Sequence, residues 1–352
     1  MVGWRDRRFL DLVGTEHPIV QAPMAGIGGV ELCVSAIEGG GLGSLPCGML
    51  SPEQALAQVA EVRSLTNGPF ALNFFCHDMP EQPDESRWRA LLAPYYAEFG
   101  VVPGNGGAMR LPFGPEMAAV LEEVRPAVVS FHFGLPCEAL VARVKAIGAA
   151  IIGNATTPEE ALWLEERGVD AIVAQGFEAG GHSGRFLGSD PAEALGLFAL
   201  VPQIVDAVSV QVIAAGAIAD GRGIAAALTL GASAVQLGTA YLRAPEAHVS
   251  DVYRDRLSEG RTVFTNLMSG GLARGLRGRL INDLGPLRAE APPYPLASAA
   301  LAPIKTAAES QNEYGFGPMW AGQAAPLGEP NSARELTRKL AANAMAILAG
   351  RE

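Results

Sequence analysis

Between residues 19 and 240, short apolar runs alternate with stretches whose apolar positions recur at helical spacing. The runs predict strands over Ile19–Met24, Gly41–Cys47, Phe70–Cys76, Val128–Gly134, Ala149–Ala155, Asp170–Gly176, Val210–Gly216 and Ala234–Thr239. They are almost continuously apolar, the pattern of parallel strands buried on both faces. Helix starts between them are legible. Ser51-Pro52-Glu53-Gln54 offers a cap, a proline in the first turn and a reciprocal Gln, and Thr157-Pro158-Glu159-Glu160 repeats the device before a helix expected to stop at Gly168. Asp190-Pro191 is expected to open another helix, and Asp220 to cap one ending near Gly231. Eight strands, each followed by a helix, predict an α/β fold of the (β/α)8 TIM-barrel type.

After Thr239 the pattern changes. Helical patches at Asp251–Ser258 and Leu296–Ser310 are separated by Gly- and Pro-rich stretches such as Gly270–Gly278 and Ala291–Pro295, read as loops. The expected organisation is a barrel over 1–240, a smaller helical subdomain over its C-terminal mouth at 241–325, and a C-terminal segment, 326–352, packing back on the barrel. Asn331 or Ser332 would cap its helix, which places Leu336, Leu340, Ala344 and Ile347 on one face. The 78–115 connection is longer than a usual βα loop and is expected to lean over the same mouth.

The composition fits one large barrel with an insertion as well as two ordinary domains. Of 352 residues, 49% are hydrophobic and 18% charged, and 26 Lys+Arg against 37 Asp+Glu give a net charge of −11. With no basic face, a nucleic-acid partner is not expected. The four cysteines, Cys33, Cys47, Cys76 and Cys137, form no C-x-x-C pair and suggest neither zinc nor a disulfide scaffold. The N-terminus lacks an apolar signal core, and the uncharged stretch 223–242 is broken by Gly231 and polar residues, so it reads as a helix followed by a strand rather than a membrane span. A cytoplasmic protein free of the membrane is expected.

In such a barrel the chemistry sits at the C-terminal strand ends. Here these ends are rich in glycine and amides, include His77, His132 and His182, and are poor in carboxylates. Two small-residue turns, Gly216-Ala217-Ile218 and Gln236-Leu237-Gly238-Thr239, follow the last two strands. Together with the helix N-terminus beyond the first, they predict an anion cradle where barrels commonly hold phosphate. Glycines that merely permit tight turns are the alternative for either loop alone. No P-loop, Rossmann fingerprint or H-E-x-x-H motif is present, and no metal is expected. A phosphate-anchored cofactor contacted by amides suggests FMN.

Several strings occur in order: Pro18–Gly26 (PIVQAPMAG), Leu72–Phe75 (LNFF), Gln175–His182 (QGFEAGGH), Ala215–Ile218 (AGAI), Gln236–Thr239 (QLGT) and Trp320–Gln323 (WAGQ). They resemble the nitronate monooxygenases, formerly called 2-nitropropane dioxygenases, over roughly residues 17–325. Ser130–Gly134 (SFHFG) and Glu178–His182 are most similar to the first main class of that family. The resemblance implies a non-covalent FMN and oxidation of an alkyl nitronate, with nitroalkanes a further substrate class, by O2 to a carbonyl compound and nitrite. It also implies Met24 and Ala25 beside the isoalloxazine ring, Asn73 and Gln175 at the pyrimidine side or the ribityl chain, Gly180, Gly181, Gly216, Ala217, Gly238 and Thr239 at the phosphate and its approach, and Gln236 as a further cofactor contact. Gly322 and Gln323 would bring the C-terminal segment to the cofactor.

His182 is the candidate base, taking an α-proton when neutral or holding a nitronate oxygen when protonated. The alternative is a histidine that simply caps the Gly-rich loop, but one in a loop at a strand end points to function rather than packing. His132, between two phenylalanines, is either a satisfied core histidine or an inward-facing substrate contact. Lys305 resembles a lysine that the family uses to attract carboxylated nitronates, but the tyrosines of that segment are missing from Leu296–Leu301, which leaves the substrate open. The partners expected are a small nitronate and O2, with a homodimer allowed. The rival reading is an FMN-dependent NAD(P)H oxidoreductase, an enoyl-acyl-carrier-protein reductase or NADH:quinone reductase on the same barrel.

Overall fold

The computed structural model describes residues 3–104, 110–188 and 190–350. Its strands, in chain order, are β1 (Ile19–Gln21), β2 (Gly43–Pro46), β3 (Phe70–Phe75), β4 (Val128–His132), β5 (Ala150–Ala155), β6 (Ala171–Gln175), β7 (Gly181–His182), β8 (Gln211–Ala215), β9 (Ala234–Leu237), β10 (Thr262–Thr265) and β11 (Ala273–Leu276). Eight form one parallel sheet in the order β1-β9-β8-β6-β5-β4-β3-β2. The ring closes through a bridge from Val20 to Leu42. There the Leu42 N–H donates to the Ile19 carbonyl and the Gln21 N–H to the Leu42 carbonyl, each at 2.9 Å. The buried Gln21 side chain thickens this short seam by accepting from the Ser44 N–H at 2.9 Å. This is the predicted barrel.

Alternate strand residues face in and out. Val20, Ala71, Val128, Ile152, Val173, Ile213 and Ala234 fill the interior together with Phe9 and Val13 of the helix Arg8–Val13. Ile19, Leu72, Val129, Ile151, Ile172, Val212 and Val235 pack outward in the larger cluster shared with the surrounding helices. Followed toward the C-terminal ends, the inward phase becomes polar: Asn73 on β3, Ser130 and His132 on β4, Asn154 on β5, Gln175 on β6 and Gln236 on β9 all line one cavity. The same two-residue period that builds the core therefore delivers its chemistry.

The helix starts test the capping expectations. At Ser51 the box forms, with Oγ accepting from the Gln54 N–H at 3.2 Å and the Gln54 amide oxygen accepting from the Ser51 N–H at 2.9 Å. Thr157 caps the helix Pro158–Glu166, and Gly168 follows with φ +75°. Ser332 caps the helix Ala333–Leu348, which packs so closely on the helix Gly221–Thr229 that a Cβ at Gly221 would lie 2.6 Å from Asn343. Asp190, in contrast, caps only the short turn Pro191–Glu193. The long helix expected there begins at Leu197, because its first free N–H donates to the Glu178 carboxylate at 2.9 Å from a remote loop. Among the described residues no helix is long and apolar enough to cross a membrane.

Over the mouth, the helices Asp251–Arg256, Arg279–Leu284 and Ala297–Ser310 are joined by an antiparallel sheet, β10-β11-β7. β11 lies inside Gly270–Gly278, which the sequence reading assigns to a loop. The strand forms because Gly275, having no side chain, lets Met319 and Trp320 pack against it; a Cβ there would meet the Met319 carbonyl at 2.7 Å. The 78–115 connection contributes the helix Ser86–Phe99, although residues 105–109 lie outside the described residues. Trp88, Leu92 and Tyr96 of that helix are buried against Leu267, Ile281, Leu301 and Ile304. The Tyr96 hydroxyl donates to the Ala300 carbonyl at 2.6 Å. Two distant stretches of chain thus build one cover.

Candidate active site

The cavity opens at the C-terminal strand ends and is lined by Met24 and Ala25 after β1, by the inward amides just described, and by Gly180, Gly181 and His182. Gly216, Ala217, Gly238, Thr239, Trp320 and Gly322 line it as well. β1 stops at Gln21, three residues before the predicted end, because the Met24 carbonyl accepts from Ile27 and Gly28 in a turn that rims the cavity.

The turn after β8 leaves the ordinary backbone regions at two consecutive residues. Gly216 has φ +123° and the non-glycine Ala217 has φ +52°. No protein acceptor takes the backbone N–H of Gly216, Ala217 or Gly238 among the described residues. An anion placed between the two strand ends would meet these three donors. The helix N-terminus expected to share this task is already filled, since Asp220 accepts from the Arg222 and Gly223 N–H groups at 2.9 and 3.2 Å.

The Gly-rich loop after β6 is held from all sides. Gln175 accepts from the Gly184 N–H at 2.7 Å and donates to the His182 carbonyl at 2.9 Å, so its amide shapes the loop as well as lining the cavity. A Cβ on Gly180 would lie 2.5 Å from the Gly322 nitrogen, which shows how closely the segment 320–324 crosses it. That segment is tied by the Gly322 N–H to Thr239 Oγ1 at 2.9 Å and by the Gln323 N–H to the Glu178 carbonyl at 3.0 Å. Farther along, the buried Glu160 carboxylate accepts from the Thr156 N–H and hydroxyl and from the Phe186 and Leu187 N–H groups at 2.6 to 3.0 Å. Arg274 is buried between the rings of Phe177 and Phe264, at 4.4 and 4.2 Å, and donates to the Phe177 carbonyl.

His182 occupies β7, with Nε2 2.7 Å from the hydroxyl of Ser269. Tyr294 and Trp320 pack edge-on against it at 5.1 and 5.3 Å. Enclosure apart from its cavity face pushes its pKa down to about 3, assisted by the Arg110 charge and by His132 and His77. His132 faces the same cavity, and burial lowers it to about 4 against a hydrogen bond to the main chain of His182. Both imidazoles are therefore neutral at pH 7. Phe133, held at φ +68°, turns its ring toward His132, Tyr294 and His77.

Two expected residues lie elsewhere. Gln323 contributes its backbone while its side chain is exposed. Lys305 sits on the helix Ala297–Ser310, where Nζ pairs with Glu309 at 3.0 Å, away from the cavity lining. Conversely, Arg110, Ser269 and Tyr294 come from connections without periodicity and were missed. Arg110 had one signal: it is the sole charged residue between Glu98 and Glu116. Among the described residues no cluster of three or more His, Cys, Asp or Glu is placed to hold a metal.

A family model described as "Nitronate monooxygenase" matches residues 6–343. A nitronate monooxygenase of Paraburkholderia phytofirmans is 42% identical over 345 residues, covering 95% of this chain and 94% of that protein. The crystal structure of a nitroalkane oxidase from Streptomyces ansochromogenes superposes with a TM-score of 0.91 at 34% identity, covering 98% of this chain and 100% of that one. FabK from Thermotoga maritima superposes with a TM-score of 0.74 at 26% identity over 99% and 98% of the two chains.

Proposed function

The chain belongs to the nitronate monooxygenase family, and on that premise we propose that it is an FMN-dependent enzyme that oxidises alkyl nitronates with O2 to a carbonyl compound and nitrite. The observation that carries the reading is the cavity's donor set among the described residues: unpartnered N–H groups at Gly216, Ala217 and Gly238, inward amides, neutral histidines and no lining carboxylate. This set fits FMN. The phosphate would be held by those N–H groups beside Thr239, and the ring by Met24, Ala25, Asn73, Gln175 and Gln236, with Gly180, Gly181 and Gly322 keeping the approach free of side chains. When bound, the flavin supplies electron transfer between nitronate and O2.

The protein's own residues set which form of the substrate is taken. An imidazole with a pKa near 3 is a weak base at neutral pH, so His182 does little to remove a carbon-bound proton. Neutral and fixed by Ser269, it instead offers a hydrogen bond to a nitronate made beforehand. Trp320, Tyr294 and Phe133 wall this group with aromatic surface and limit water around the reacting anion.

The test is product stoichiometry in an oxygen electrode. Ethyl nitronate should consume O2 and release acetaldehyde and nitrite in step, whereas O2 uptake that yields no nitrite would overturn the assignment.

A further inference from the structure

Among the described residues Arg110 is the one charged residue lining the cavity, and no carboxylate lines it. Among the described residues its guanidinium has neither an ion-pair nor a hydrogen-bond partner. The backbone around it is pinned at two points. His77 Nε2 donates to the Arg110 carbonyl at 3.1 Å, and the Phe113 N–H donates to the Phe75 carbonyl at 2.7 Å. The Phe113 ring then packs edge-on against Phe74 and Phe131 at 4.8 and 5.2 Å.

With Nε2 donating, His77 leaves Nδ1 as a bare acceptor, and that atom is buried without a partner, as is the Tyr294 hydroxyl 4.8 Å away by ring centres. Unmatched buried polar atoms are costly and call for a ligand or water. The guanidinium's field reaches these rings as well: burial dominates at each, and Arg110 adds to the lowering of His182 and His77 and works against the rise that burial causes at Tyr294. A lone cation among neutral imidazoles makes the cavity selective for an anion.

We propose that Arg110 is a specificity-determining residue, whose guanidinium pairs with the two oxygens of the nitronate group and so admits the anion in preference to the neutral nitroalkane. A nitronate is planar and carries its charge on two oxygens, the geometry that a guanidinium edge matches in a bidentate pair. Lys305, the cation suggested by resemblance, is paired with Glu309 outside the cavity lining and leaves this position to Arg110.

The inference rests on the nitronate reading, so its test has an arm independent of turnover. In steady-state assays at low salt, Arg110→Gln should raise KM for ethyl nitronate by about tenfold or more, as expected for losing a charged hydrogen bond. The rise in KM should exceed any fall in kcat, Arg110→Lys should recover part of the loss, and nitroethane should show no matching rise. An unchanged KM for ethyl nitronate in Arg110→Gln overturns the proposal. In the second arm, nitrate, a planar anion, is titrated into the flavin-loaded protein while histidine ring resonances are followed by NMR. Shifts at His182 in the wild type that vanish in Arg110→Gln support the site even if no nitronate is turned over, which would refute only the functional reading. Equal shifts in the two proteins overturn it. Should Arg110→Gln fail to fold, the comparison of wild type with Arg110→Lys decides: equal affinity for nitrate at all salt concentrations counts against a guanidinium-specific pair.

Discussion

His182 Nε2 lies 2.7 Å from the hydroxyl of Ser269, a contact that joins the Gly-rich loop after β6 to the turn between β10 and β11. The barrel supplies the histidine, and the cover fixes it. Ser269→Ala leaves the β7–β11 ladder intact while freeing the ring, so kcat/KM for a nitronate should fall by about tenfold with flavin content retained. Steady-state kinetics beside flavin absorbance checks this; unchanged kinetics would make the contact incidental.

The depressed imidazoles make a pH prediction whose sign is fixed. Folded His182 and His132 titrate near 3 and 4, below the ordinary value of 6.5, so between those limits the unfolded chain binds more protons and stability rises with pH. Acidification from pH 7 to 5 should therefore cost on the order of 1–2 kcal/mol per histidine. Thermal melts across this range should show the loss, and His132→Phe should reduce it. The same shift predicts a kcat/KM for pre-formed nitronate without an inflection near pH 6.5.

Among the described residues Glu160 gathers four hydrogen bonds from two loops without an opposite charge. In Glu160→Gln one acceptor becomes a donor facing donors, at a cost of about 2–3 kcal/mol. The melting temperature should drop, and limited proteolysis should cut first within 183–188. A protein as stable and resistant as the wild type would show that the loop is held by other contacts.

Gly180→Ala places a methyl 2.5 Å from the Gly322 nitrogen and 2.6 Å from the Ala321 carbonyl carbon. Both are backbone, so the segment carrying Trp320 must move away. The purified protein should hold less flavin, read as the ratio of flavin to protein absorbance, and should release it faster on dilution.

Much of this was legible because strand periodicity is simple. The inward phase through Ala71, Val128, Val173 and Ala234 carries directly to Asn73, Ser130, Gln175 and Gln236, so the barrel and its polar upper layer follow from one pattern. What stayed hidden depends on contacts far apart in sequence. β11 exists because Gly275 lies under Met319 and Trp320, and the helix at Leu197 begins where Glu178 reaches it. Arg110 faces the cavity from a connection with no period at all, and only its isolation among uncharged neighbours marked it.

The account is tested most directly by mixing the flavin-loaded protein anaerobically with ethyl nitronate, NADH or NADPH and recording the flavin spectrum over time. A rapid change in flavin absorbance with the nitronate alone is predicted. Bleaching by NADH or NADPH, with none by the nitronate, would contradict the account and point to a nicotinamide-dependent reductase on the same barrel.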